Sequence, residues 1–313
     1  MILQTGQRTD IPAFYTPWFL NRLREGMVCV RNPFQPESVT RYRISPDVVD
    51  LIAFCTKNPL PMLPHLDLLS PYGQYWFITI TPYGNDMEPN VPPKKVVMEA
   101  FRILSRHVGA HRIGWRYDPI LLTERYTPEF HLKAFEEMAQ TLSGYTDTVV
   151  ISFVDLYEKV KSNFPALRIV PMEQRRILGE KMVKIARDCG MTLRPCAEGQ
   201  WLGAYGADCS GCMTLKTFER ALQTRLLLPS YAKRENRAAC ACLLTNDIGS
   251  YNTCGHLCRY CYANASPDVI RSNMAHHDPA SPLLIGHLHP TDTIHDARQE
   301  SWIDPQLSFL PYF

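Results

Sequence analysis

Short β-rich runs alternate with longer helical patterns through the first two thirds of the chain, and this alternation constrains the fold more than any other feature. The strand-like runs are residues 2–4, 49–54, 75–80, 112–115, 148–153 and 192–195. Helical patterns lie near 17–25, 94–107, 128–142 and 173–189, the last three with apolar residues at three- and four-residue steps and charges on the other face. Pro92-Pro93 precedes the second, Pro128 sits where a first-turn proline belongs, and Cys189-Gly190 supplies a stop after the fourth. Strand, helix, strand at these intervals predicts βαβ units and a parallel sheet. The expected fold is α/β: a TIM-like (β/α) barrel or partial barrel, with a doubly wound open sheet as the alternative. No glycine-rich dinucleotide fingerprint follows any strand, which counts against a Rossmann arrangement. At 313 residues the chain is long enough for such a barrel.

Polar residues gather just past the C-terminal ends of the predicted strands. The first is followed by Arg8-Thr-Asp10, the second by Thr56-Lys57-Asn58-Pro59, and the third by Thr81-Pro82-Tyr83-Gly84. The fourth leads into Arg116-Tyr-Asp118-Pro119, the fifth carries Ser152 and Asp155, and the sixth runs into Cys196-Ala-Glu198. Each has a bland explanation: local ion pairs at Arg8–Asp10 or Arg116–Asp118, a turn at Asp118-Pro119, a solvated Lys57. All six together mark one face, the one on which barrel enzymes build their sites. Arg8, Asp10, Lys57, Arg116 and Asp118 are the candidate catalytic residues.

Beyond about residue 199 the alternation fades, which divides the chain into a barrel-like part, 1–200, and a cysteine-rich C-terminal segment, 201–313, capping the barrel mouth. Residues 215–228 have helical spacing that Pro229 ends, and the tail rich in Pro, His and Asp reads as surface loop. The chain has 11 cysteines, nine of them between Cys189 and Cys261. The N-terminus shows no signal-peptide apolar core and no run is long enough to span a bilayer, so the expected location is cytoplasmic. In a reducing compartment these cysteines point to metal ligation rather than disulfides. Cys254, Cys258 and Cys261 stand at C-x3-C-x2-C spacing, so one tight loop can bring three thiolates to one centre. Three sulfurs are one short of a closed zinc site or a fully ligated [4Fe-4S] cluster; a cubane held this way keeps one iron open, whereas a zinc knuckle needs a fourth ligand such as His256. Cys196, Cys209, Cys212, Cys240 and Cys242 remain for a second site, which spacing alone assigns neither to zinc nor to a cluster. Cys29, Cys55 and Cys189 read as packed small hydrophobes. The formal charge of +2 gives no strong nucleic-acid or membrane signal.

The three-cysteine spacing, with Tyr260 before the last cysteine, resembles the signature of radical S-adenosylmethionine (SAM) enzymes. In those enzymes SAM binds the open iron and the aromatic packs on its adenine, so Tyr260 is the cofactor-binding candidate. The whole chain also resembles a bacterial family known as domain of unknown function 1848. That resemblance rests on Arg8-Thr-Asp-Ile-Pro-Ala-Phe-Tyr15, Val30-Arg-Asn-Pro33, Thr56-Lys-Asn-Pro59, Trp115-Arg-Tyr-Asp-Pro-Ile120, Ile151-Ser-Phe-Val-Asp-Leu-Tyr157, Cys196-Ala-Glu-Gly199, Asp247-Ile-Gly-Ser-Tyr-Asn-Thr-Cys254 and Tyr260-Cys-Tyr-Ala263. It implies a cluster loop that reaches the barrel mouth from the end of the chain, a permuted order, with Cys254, Cys258 and Cys261 as its ligands. It further implies that Cys196, Cys212, Cys240 and Cys242 suit a second [4Fe-4S] cluster, with Cys209 an extra that leaves the register of Cys212 open.

The resulting expectation is a non-standard radical SAM enzyme that cleaves SAM reductively and abstracts hydrogen from a small-molecule or nucleotide-like substrate. A reductant such as flavodoxin or ferredoxin would be its partner; nucleic acid has weaker support. Arginines at the mouth suit a carboxylate or phosphate on that substrate. The rival reading is a non-catalytic zinc or iron–sulfur interaction or electron-transfer protein. Zinc would also admit metal-assisted hydrolysis, with Glu198 or Asp118 as base.

Overall fold

The computed structural model describes residues 1–232, 242–243 and 246–306. Its centre is a six-stranded parallel sheet in the order β1-β4-β5-β6-β7-β8, formed by β1 (Ile2–Gln4), β4 (Leu51–Thr56), β5 (Gly73–Thr79), β6 (Ile113–Ile120), β7 (Thr148–Phe153) and β8 (Thr192–Pro195). The order never reverses, so the sheet has no topological switch point and the doubly wound alternative does not apply. The connections carry α1 (Ile11–Phe14), α2 (Thr16–Glu25), α3 (Lys94–Val108), α4 (Pro128–Leu142), α5 (Glu158–Asn163) and α6 (Met172–Asp188). Between β4 and β5 the crossover is a 3-10 helix, Leu60–Leu69, with Pro64 inside it interrupting any α-helical ladder.

The sequence explains why these segments form. β4 and β7 are near-continuous runs of buried Leu, Ile, Val and Phe, as strands covered on both faces are. In α3 the buried residues Val97, Ala100, Phe101, Leu104 and Val108 make one stripe, and Gly109, at φ +91°, ends the helix. Thr127 caps α4 by accepting from the Phe130 amide at 3.2 Å. The apolar centre holds Phe54 stacked on Trp76 at 3.8 Å and Trp115 on Phe135 at 4.9 Å.

A second sheet, not foreseen in the sequence, has the order β2-β3-β9: a hairpin of β2 (Met27–Arg31) and β3 (Ser38–Arg43), with β9 (Thr293–Asp296) parallel to β3. The tail is therefore partly strand rather than all loop: Arg31 pairs with Asp292 and Arg41 with Asp296, ion pairs that fasten it to the hairpin. The helical reading of 215–228 also ran long. α7 (Leu215–Leu222) stops where Gln223 turns left-handed at φ +55°, and the following chain bridges Leu226 to Ile303. α8 (Pro267–Ala275) follows the cysteine loop.

Both edges of the large sheet are met by the C-terminal segment. Asn246 and Ile248 bond to Gln4 on β1 at 3.2 and 3.0 Å, while the Asp208 amide bonds to Leu193 on β8 at 2.9 Å. Among the described residues β1 and β8 do not pair with each other, and no helix is long and apolar enough to cross a membrane.

His131 on α4 is fully buried between the Tyr117 hydroxyl and the Leu121 carbonyl, each 2.8 Å from a ring nitrogen. Burial lowers its pKa to about 4, so the folded protein resists a proton that the unfolded chain accepts below its ordinary value of 6.5. Stability should therefore fall as pH drops from about 6.5 to 4, by about 3 kcal/mol at the limit. His131→Gln should flatten that limb in urea midpoints at pH 7 and pH 5.

Candidate functional site

The C-terminal ends of all six parallel strands and the cysteine loop enclose one cavity of about 390 Å³. Parallel strands point their ends the same way, so residues far apart in sequence meet there. Arg8, Asp10, Lys57, Arg116 and Asp118 all line it, as do Cys254, Cys258, Tyr260 and Cys261.

Backbone turns and side-chain hydrogen bonds fix the shape of the loop. Asn252 and Leu257 take left-handed backbone at φ +58° and +57°, which turns the chain tightly enough to set the three cysteines along one wall. Asn264 Nδ2 donates to the Cys254 carbonyl at 2.9 Å, Asn90 Nδ2 to that of Gly255 at 2.8 Å, and the Tyr15 hydroxyl to that of Thr253 at 2.6 Å. Gly255 is required by space, since a Cβ there would lie 2.8 Å from the Phe14 ring.

Burial pushes all three thiols up, Cys258 to about 12, and neighbouring sulfurs add to it at Cys254 and Cys258. Lys57 pulls Cys258 and Cys261 the other way. Backbone N–H groups are aimed at two of the sulfurs: that of His256 at Cys254, and that of Ala263 at Cys261, 3.4 Å away. A set of buried sulfurs that resists ionisation alone, yet receives N–H donors, suits thiolates neutralised by a metal cluster. Among the described residues no three His, Cys, Asp or Glu side chains gather tightly enough to hold a single metal ion. The tail histidines make local contacts instead, such as His277 to the Leu284 carbonyl.

Behind the wall lies Glu88, 1% exposed, which the sequence reading did not single out. Lys57 reaches it at 2.7 Å, Thr81 donates at 2.6 Å, and Lys94 and the Tyr260 hydroxyl are also bonded to it. Burial alone would raise its pKa; Lys57 and Lys94 outweigh burial and hold the carboxyl down at about 2. Its only sequence signal is an acidic residue four positions past Gly84, at the end of the third strand. Tyr260 is thereby fixed by its hydroxyl, its ring beside Tyr83 and 5.6 Å from the Lys57 ammonium.

Asp10 is a clamp. One oxygen caps α1 through the Ala13 amide at 3.1 Å; the other accepts from the Lys57 amide and faces His256 Nε2, both at 2.8 Å. It ties the ends of β1 and β4 to the cysteine loop. Arg8 is further out, 27% exposed, 4.0 Å from Asp247 and over the Tyr251 ring. Asp155 lines the mouth as well.

On the opposite wall Arg116 is paired with Asp118, which also accepts from Ser152. The Arg116 guanidinium reaches the sulfurs of Cys212 and Cys196 at 3.7 and 3.8 Å, and Cys212 lies 3.3 Å from Cys242. Cys196, Cys212 and Cys242 thus share this wall; Cys240 lies outside the described residues. Of Cys209 and Cys212, only Cys212 is among the residues lining the cavity; Cys209 turns to the carbonyls of Gln200 and Ala207. Cys29 packs with Val39 and Leu283 as expected, and Cys55 packs against the core while also bordering the cavity. Glu198 is committed elsewhere, accepting from the Phe153 amide at 2.8 Å and pairing with Arg175 at 2.9 Å.

The family described as Domain of unknown function (DUF1848) matches residues 2–263. No curated protein and no solved structure matches the chain.

Glu88→Gln would leave two half-buried ammonium groups facing a neutral amide. It should cost about 3 kcal/mol at pH 7, read from urea midpoints. The carboxyl's depressed pKa means that its contribution is complete above about 4.5 and is lost as pH falls through about 2. The variant's deficit should therefore shrink below pH 4.

Proposed function

This chain belongs to the family described as Domain of unknown function (DUF1848), and we propose that it is an iron–sulfur enzyme of the radical SAM kind whose cluster loop comes from the end of the chain. The observation that carries the reading is that Cys254, Cys258 and Cys261 line the same cavity as the ends of all six parallel strands. A purely structural metal loop has no need of a cavity bordered by Arg8, Lys57, Arg116 and Asp118. The sheet is proposed to be a partial barrel, its gap spanned by the segments that bond to β1 and β8.

The three thiolates would hold a [4Fe-4S] cluster from one side. When bound, such a cluster, reduced by one electron from a flavodoxin or ferredoxin, supplies cleavage of SAM to methionine and a hydrogen-abstracting 5′-deoxyadenosyl radical. The chain's own part is positioning. Asp10 and His256 hold the loop against the ends of β1 and β4. Tyr260, locked on Glu88, presents a fixed ring to the cavity. The Lys57 ammonium, 2.7 Å from Glu88, offsets thiolate charge at Cys258 and Cys261. Arg8 retains exposure for a carboxylate or phosphate on a small-molecule or nucleotide-like substrate, whereas the guanidinium of Arg116 is already bonded to Asp118.

Iron and acid-labile sulfide, measured on anaerobically purified protein, test the assignment of the loop. About four irons and four sulfides per chain should be lost when Cys254, Cys258 and Cys261 are all replaced by Ser. Stoichiometric zinc without sulfide in protein never exposed to air would refute it.

A further inference from the structure

The wall of the cavity that holds Arg116 carries three sulfurs whose spacing argues for a chemistry other than metal ligation. Cys196 follows β8, Cys212 lies 16 positions later and Cys242 another 30, so their meeting is tertiary and not a consequence of one loop. Cys212 contacts both of the others: its sulfur is 3.3 Å from that of Cys242 and is hydrogen-bonded with that of Cys196. Two thiolates on one tetrahedral zinc, at about 2.3 Å each, stand about 3.8 Å apart, and cysteines on different irons of a cubane stand farther still. A separation of 3.3 Å is shorter than either and suits sulfurs that bond to each other.

Exposure orders the three. Cys212 and Cys242 are each 2% exposed, while Cys196 is partly open to the cavity. The Arg116 guanidinium lies against Cys196 and Cys212, and the Met213 amide points at Cys242 from 3.3 Å. The contact with Cys212 and burial push the Cys196 thiol up. Against a pull from Cys196, the contact with Cys242 and burial push Cys212 up to about 12; the Arg116 guanidinium works the other way at both, toward the thiolate that attacks a disulfide.

We propose that Cys196, Cys212 and Cys242 form a thiol–disulfide relay that ends in a Cys212–Cys242 disulfide and so gives up two electrons that the reduced wall of the cavity holds. The Cys196 thiolate attacks a low-molecular-weight disulfide that enters the cavity, forming a mixed disulfide and releasing one thiolate. Cys212 then attacks the Cys196 sulfur, expelling the second small thiolate and forming a Cys196–Cys212 bond. Cys242 attacks the Cys212 sulfur, forming the final bond and returning Cys196 as a thiolate. In total the small disulfide gains two electrons and the two protons of the Cys212 and Cys242 thiols. The reverse sequence, with a small dithiol as reductant, restores the thiols. Oxidation also removes the Cys212 acceptor from Arg116, changing the charge balance beside Asp118. The relay is independent of what occupies the Cys254, Cys258 and Cys261 loop.

The test equilibrates the full-length protein, purified anaerobically, with graded ratios of oxidised to reduced glutathione. Alkylation and peptide mapping then assign every crosslink, and iron and zinc are counted before and after. The proposal expects a Cys212–Cys242 crosslink with two thiols lost per chain and no metal released from this wall. Cys196→Ser should slow its appearance by about tenfold or more without changing its final fraction. Cys242→Ser should accumulate the Cys196–Cys212 crosslink, and Cys209→Ser should behave as the natural chain; circular dichroism checks that each variant folds. Absence of the Cys212–Cys242 crosslink at every ratio, its replacement by one to another cysteine, or stoichiometric metal lost on Cys212→Ser or Cys242→Ser would overturn the relay. Iron lost only on substitution in the Cys254, Cys258 and Cys261 loop leaves the relay standing.

Discussion

A carboxylate almost without water can stay charged only if cations and hydrogen-bond donors replace its hydration, and Glu88 is such a group. Its four partners come from four parts of the chain: Lys57 after β4, Thr81 after β5, Lys94 at the start of α3, and Tyr260 in the cysteine loop. The knot joins two strand ends and a helix N-terminus to a loop some 170 residues downstream. Lys57 is the hinge of the arrangement, because its amide also bonds to Asp10. Through Asp10 the same lysine reaches His256, between the first two cysteines. The position of the loop thus follows from charge neutralisation in the interior, and the cavity is the space left between loop and sheet.

The C-terminal segment does more than cover that space. It bonds to β1 at Asn246 and Ile248 and to β8 at Asp208, so it supplies backbone partners to both edges of the sheet. Met213 and Leu243 are bonded to each other at 2.8 Å, which brings the two stretches together beside Cys212 and Cys242. Cys212 and Cys242 therefore lie a few residues from Asp208 and Asn246, which bond the two edges. Edge satisfaction and construction of the cavity wall are one structural solution.

Much of this was legible in the sequence because buried parallel strands announce themselves. Thr148–Phe153 and Thr192–Pro195 match their predicted bounds, the first an apolar β-branched run and the second a short stretch after a glycine stop. Polar residues at the ends of such runs stand out, and that is why Arg8, Asp10, Lys57, Arg116 and Asp118 could be placed together before any coordinates. The second sheet was hidden for a physical reason. β9 pairs with β3 across some 250 residues, and the hairpin strands carry Arg31 and Arg41, whose partners Asp292 and Asp296 are distant in sequence. α7 was overextended because its apolar spacing continues past Gln223 although the backbone turns left-handed there. Glu88 escaped notice because one acidic residue in a polar stretch looks solvated until its lysines are seen. Cys209 and Cys212 could not be separated by spacing, since only the tertiary turn decides which sulfur faces the cavity.

The central claim, that the three-cysteine loop holds a cluster with one site open toward the cavity, is tested most directly by electron paramagnetic resonance of the reduced, anaerobically purified protein with and without SAM. The account predicts the signal of a reduced [4Fe-4S] cluster whose g-values shift when SAM is added, because the open iron gains a ligand. A cluster signal indifferent to saturating SAM would contradict it.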